Sequence, residues 1–197
     1  MQIRSDESDL GKGLAAGFIA GLAGAWVMNQ VQALLSRQIA GIERSHGAQS
    51  LRQGSPRHGV ARELQKRGSD RDSDDAATRA AQYASESLLE HELDDSEKES
   101  GGALVHYAMG AASGTIYGVA SELLPAATVG AGLPFGAAVW LIADQAVVPA
   151  AGLTKPSTEY PPREHGYSLV SHLVYGLATE LARRAMRRVL DSAGDRF

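Results

Sequence analysis

The sequence predicts an all-α fold: a four-helix transmembrane bundle made of two similar helix pairs, with a long charged, partly disordered insert between helices 1 and 2. Three observations carry this. Glycines recur at every fourth position inside two apolar runs, as Gly13, Gly17 and Gly21 and again as Gly110, Gly114 and Gly118. In water each would cost a helix about 1 kcal/mol relative to alanine, whereas in a bilayer small-xxx-small spacing lets two helix backbones approach closely. Second, Tyr117-Gly118-Val119-Ala120-Ser121-Glu122-Leu123 is echoed by Tyr175-Gly176-Leu177-Ala178-Thr179-Glu180-Leu181, which places Gly176 in the same packing role as Gly118. Third, residues 36–101 hold 10 of the 19 Lys+Arg and 13 of the 23 Asp+Glu. The rest of the chain is mostly apolar residues and glycine, so its overall hydropathy averages two different materials.

Residues 1–12 read as a short charged tail. From Gly13 to Ser36 no charge occurs for about 24 residues, more than the roughly 20 needed to span hydrocarbon, and 13–35 is the first predicted span. A cleaved signal peptide fits less well, because the run is long, glycine-rich and lacks a small-x-small site after a basic start. Residues 36–101 form the hydrophilic insert. Through Asp75 its Gly, Ser, Arg and Gln content buries too little apolar surface to offset ordering entropy. Residues 76–93 are better helix material, with Ala80, Tyr83, Ala84, Ser87, Leu88 and His91 on one face. The second span is 102–124, ended by Pro125. The third is 126–152, with Pro134 tolerated in its first turn and Asp144 as its only charge. Residues 157–165 read as a polar connection, and 166–190 is the fourth span, whose Arg183 and Arg184 snorkel to the interface. Pairing 13–35 with 102–124 and 126–152 with 166–190 gives a parallel repeat, in which Trp26–Gln30 loosely matches Trp140–Gln145.

The net charge of −4 and a pI of about 5.9 give no global attraction to nucleic acid. With no cysteine, disulfides, thiol catalysis and Cys-ligated metals are excluded. Gly11-Lys12-Gly13 lacks the frame of a phosphate-binding loop, and His91-Glu92 lacks the second histidine of a zincin. Glu164, His165 and His172 are metal ligands by type, but the last lies about two turns from the others. No catalytic set, metal site or cofactor is therefore expected, and the chain is read as a non-enzyme. Its expected partners are the lipid bilayer and either a second copy or another membrane protein. Arg183, Arg184, Arg187 and Arg188 favour cytoplasmic termini, whereas the insert's ten basic residues vote weakly the other way.

Ionisable groups at membrane depth are costly and default to functional hypotheses. His106 and Glu122 are about 24 Å apart along one helix and share no site within it. Sorting by depth gives two layers. Asn29, Gln30, His106, Asp144, Gln145 and His172 lie toward one end, and Tyr117, Glu122, Tyr175 and Glu180 toward the other. The first layer reads as hydrogen-bonding glue between helices or as groups in the headgroup layer, or as a protonatable cluster of His106 and His172 around Asp144 in a proton, ion or solute pathway. For the second, Glu180 pairs with Arg183 and Arg184 on its own helix, leaving less reason to assign Glu122 and Glu180 a transport role.

A family resemblance emerges from these residues. Gly13-Leu14-Ala15-Ala16, the block from Tyr117 to Pro125, Gly152-Leu153-Thr154-Lys155-Pro156, and Ser171-His172-Leu173-Val174-Tyr175 followed by Glu180, Arg183 and Arg184 resemble the YagU-type family of small bacterial inner-membrane proteins. The resemblance covers about 11–35 and 102–190. It implies an inner-membrane location and a loose link to acid tolerance, and it supplies no catalytic residues. The 36–101 insert departs from the family pattern.

Overall fold

The computed structural model describes the backbone of residues 2–50, 76–154, 158 and 162–194, with side chains for 9–35, 76–154, 158, 162 and 165–193. Among these every regular element is helical and none is a strand. Disorder is expected over 36–75; of this stretch 36–50 is helical, and 51–75 lies outside the described residues.

Helix α1 runs Gln2–Ser50, so the segment read as a charged tail is the start of the first helix. The same helix continues beyond residue 35 into the segment read as insert. Helix α2 is Ala76–Leu89. Helix α3, Asp95–Leu123, starts seven residues before the expected span because Asp94 and Glu97 form a capping box. The Asp94 carboxylate accepts from Ser96 N and Glu97 N at 2.8 and 2.9 Å, and the Glu97 carboxylate accepts from Asp94 N at 2.9 Å. Those backbone donors, Glu97 N for Asp94 and Asp94 N for Glu97, hold both carboxyls below their ordinary range. Leu124, extended as residues before proline prefer, ends α3.

A 3-10 turn over Pro125–Thr128 leads to α4, Leu133–Val139, which widens into a π-helix over Trp140–Val147 and closes with Val148–Ala150. Helix α5 is Pro162–Gly194, with the proline at its first position, where no donor is lost. Helix α1 packs along both α3 and α5, α2 lies on the start of α3, and α4 rests on α5.

The predicted face of α2 is not the one it uses. Ala81 and Ser85 are buried, whereas Tyr83 and Leu88 are 69% and 80% exposed. Gly101 and Gly102 on α3 approach Ala81 and Thr78 so closely that only small residues fit between the helices. Arg79 adds a tie to the end of α4, donating to Leu153 O at 2.9 Å.

Among the described residues two helices are long and apolar enough to cross a membrane, Asp9–Leu35 and Leu133–Ala150. The expected spans in α3 and α5 are not among them, since glycine, hydroxyl and charged residues dilute both. Burial is nevertheless inverted throughout. The buried described residues are Gly, Ala, Ser, Thr, Met28, two tyrosines, His172, Glu180 and Arg183, and none is Leu, Ile, Val, Phe or Trp. Phe18, Trp26, Leu104, Ile116, Leu141, Ile142 and Leu181 all face outward.

Candidate functional site

The glycine rows bring backbones together. A Cβ added at Gly17 would lie 2.9 Å from Gly118 Cα, one at Gly114 2.5 Å from Gly21 Cα, and one at Gly118 2.7 Å from Gly17 Cα. Gly13 and Gly110 complete the seam against Glu122 and Ala25. A second seam joins α4 to α5. There a Cβ at Gly176 would lie 2.8 Å from Gly136 Cα, and one at Gly132 2.8 Å from Glu180 Cβ. Gly132 and Gly136 were not singled out in the sequence, although they share the four-residue step.

The two seams match in residue register. Gly13 abuts Glu122 and Gly118 O, and Gly132 abuts Glu180 and Gly176 O. Gly17 abuts Gly114 O and Gly118 N, and Gly136 abuts His172 O and Gly176 N. This register differs from the loose match of Trp26 with Trp140. It sets Trp140 where α1 has Gly21, and an indole cannot enter the space a hydrogen fills. At Trp140 the α4 backbone turns to π geometry. Helix α1 instead makes a further contact through Gly24, where a Cβ would lie 3.0 Å from the Tyr175 ring and would collide with Thr179 Oγ1.

At one end of these seams lies a charged cluster. Glu180 is 0% exposed and accepts from Arg183 Nε at 2.8 Å, Arg183 Nη2 at 3.1 Å and Arg184 Nε at 2.6 Å. Glu122 binds Arg187 through Nε at 3.0 Å and Nη2 at 3.1 Å, with Arg183 Nη1 at 3.8 Å. Arg187 also reaches Asp9 and Asp191, each at 3.4 Å, and Lys12 meets Asp191 at 3.0 Å. Thus Glu122 and Glu180, the two acids of the echoed motif, are joined through Arg183. The Arg183 guanidinium also lies 5.9 Å from the centre of the Tyr117 ring, which stacks on Phe135 at 4.2 Å. Phe135 in turn leans on Tyr175 at 5.6 Å. The Tyr175 hydroxyl donates to Gly110 O and lies 2.8 Å from Ser113 Oγ. Sequence reasoning named no partner for Glu122, because Arg187 is distant in the chain.

At the other end lies a smaller polar group. Ser168 Oγ donates to Asp144, and His172 Nδ1 lies 2.9 Å from Ser168 O while Nε2 lies 3.8 Å from Asp144 Oδ1. A carbonyl only accepts, so Nδ1 carries the hydrogen and Nε2 faces the carboxylate. Asn29 donates to the Tyr107 hydroxyl at 3.4 Å, and Tyr167 donates to Gln32 O at 3.3 Å. His106 lies on α3 with its ring edge to Tyr107. Asp144 and His172 thus meet across α4 and α5 through Ser168, which carried no sequence signal. Among the described residues no three His, Asp or Glu side chains converge as metal ligands would; the Glu164 side chain lies outside them.

No curated protein and no solved structure matches the chain. A family model does match, over residues 81–181, which take in Glu122, Asp144, His172 and Glu180. The chain belongs to the family described as protein of unknown function DUF1440.

Proposed function

We propose that this chain is a multi-pass integral membrane protein whose role is structural, a compact scaffold formed by glycine-mediated helix packing. The observation that carries the reading is the inverted burial. Large aliphatic and aromatic side chains point outward on α1, α3, α4 and α5, while small and charged residues fill the inside. A water-soluble chain rarely exposes so continuous an apolar surface, and hydrocarbon is the medium that suits it. In this reading α3 and α5 span alongside α1 and α4, and each keeps its charges against neighbouring helices or near its ends. The arginines at the end of α5 favour cytoplasmic termini. The resemblance to YagU-type proteins supports an inner-membrane location and a stress-related, acid-tolerance setting. No catalytic step is assigned, and the outward faces suit lipid, a second copy or another membrane protein. Alkaline carbonate washing of membranes tests the reading: the full chain stays in the pellet, and its release into the supernatant would overturn the proposal.

A second reading, a small proton pathway, is favoured by the His172 geometry. With Nδ1 donating to Ser168 O, Nε2 carries a hydrogen toward Asp144, 3.8 Å away, only when the ring takes a second proton, so the pair offers a place for one proton. In liposomes carrying a pH-sensitive dye, the protein would dissipate an imposed pH gradient, with His172→Ala and Asp144→Asn each slowing it about a hundredfold or more, the lower end of the range for a positioned proton-transfer group. A wild-type protein with no flux, or variants with unchanged flux, would sink it.

A further inference from the structure

We infer that the outward face of α5 carries a binding site for an anionic phospholipid, with its phosphate held by Arg184 and Arg188; the inference rests on the membrane-spanning reading above. Val170, Leu177, Leu181, Arg184 and Arg188 fall within about 60° of arc at 100° per residue. All five are exposed, and Leu177 and Leu181 belong to the outward apolar surface. The remaining half of the helix surface holds Ser171, His172, Tyr175, Thr179, Glu180 and Arg183, all buried. One face of one helix is therefore aliphatic for about three turns and then basic, the profile of an acyl chain ending in a phosphate.

The two arginines differ from their neighbours in charge balance. Arg183 and Arg187 are spent on Glu180, Glu122, Asp9 and Asp191. Arg184 gives only Nε to Glu180, which fixes the plane of its guanidinium. Its terminal nitrogens bond to no described residue, and the side chain is 46% exposed. Arg188, one turn on, is exposed and pairs with no described residue. Guanidinium groups bind phosphate through paired parallel donors, and one already oriented by Glu180 loses less freedom on binding. An anionic headgroup at this depth supplies the missing counter-charge, whereas a zwitterionic one brings its own cation.

The test uses the full chain in neutral detergent, titrated with phosphatidylglycerol, phosphatidylcholine or inorganic phosphate, with bound lipid counted by native mass spectrometry. Phosphatidylglycerol should bind about thirtyfold more tightly than phosphatidylcholine, on the scale of two arginines facing anionic lipid. R184Q/R188Q should lose that preference. R188Q, which breaks no described contact, should lose about fivefold of it. Equal affinity for the two lipids, or a preference unchanged in R188Q, overturns the inference. So does competition by inorganic phosphate at the lipid's own concentration, which would make this a soluble-anion site. Failure of the membrane reading shows separately, as release by carbonate. A chain that stays in the pellet yet binds both lipids alike refutes the lipid site alone.

Discussion

Glu180→Ala is expected to cost about 3–5 kcal/mol, enough to deplete the folded protein, because it strands a buried charge. Glu180 is 0% exposed and Arg183 8%. Without the carboxylate, Arg183 keeps only the longer contact to Glu122 at 3.8 Å. Arg184, half exposed, can turn to solvent, but Arg183 cannot. Thermal unfolding of purified protein in detergent, followed by loss of helical circular dichroism, measures the effect. The paired replacement Glu180→Met with Arg183→Met removes both charges and should recover most of the loss, since an apolar pair of similar volume often matches a buried ion pair. A Glu180→Ala protein as stable as the parent would show that the cluster is not holding α3 and α5 together.

Gly114→Ala should destabilise by about 1–3 kcal/mol or more, the cost of forcing extra volume into a tight contact. The new Cβ would sit 2.5 Å from Gly21 Cα and 2.8 Å from Gly21 N, and backbone cannot swing aside as a side chain can. Gly11→Ala is the internal control. Nothing lies within 4 Å of its Cβ, so only the helix propensity of alanine acts, worth up to about 1 kcal/mol in the stabilising direction. The two substitutions are chemically identical and opposite in expected sign. Equal shifts in melting temperature would refute the close crossing of α1 and α3.

Helical character was legible because apolar runs and glycine steps are local signals; the Asp94–Glu97 capping box is local too, but its acidic residues read as part of the hydrophilic insert. The facing of Gly17 to Gly118 was legible in kind, since glycine at a four-residue step leaves a groove that suits another backbone. The echo around Tyr117 and Tyr175 suggested that Glu122 and Glu180 occupy comparable depths. What escaped reading was relational. Nothing near Glu122 announces Arg187, and nothing marks Ser168 as the residue between Asp144 and His172. The face of α2 was misread because periodicity favours Tyr83 and Leu88, whereas the deciding constraint is Gly101 and Gly102 on another helix. The π segment of α4 was also hidden. Trp140 looks like an interfacial aromatic in sequence, and only the packing register shows that it sits where the equivalent helix has glycine.

The charged cluster also sets an order of events during synthesis. Glu122 emerges with α3, long before Arg183 and Arg187, and every described counter-charge it has on α5 is still untranslated. A nascent chain that ends after α4 therefore holds an acid whose described counter-charges are missing, and an α4 seam with no α5 to close it. Completion of α5 neutralises Glu122, and through Arg187 and Asp191 it ties the end of that helix back to Asp9 and Lys12. Helix α5 is thus the latch that makes a chain carrying it electrically different from one that stops before it, a distinction open to membrane quality control.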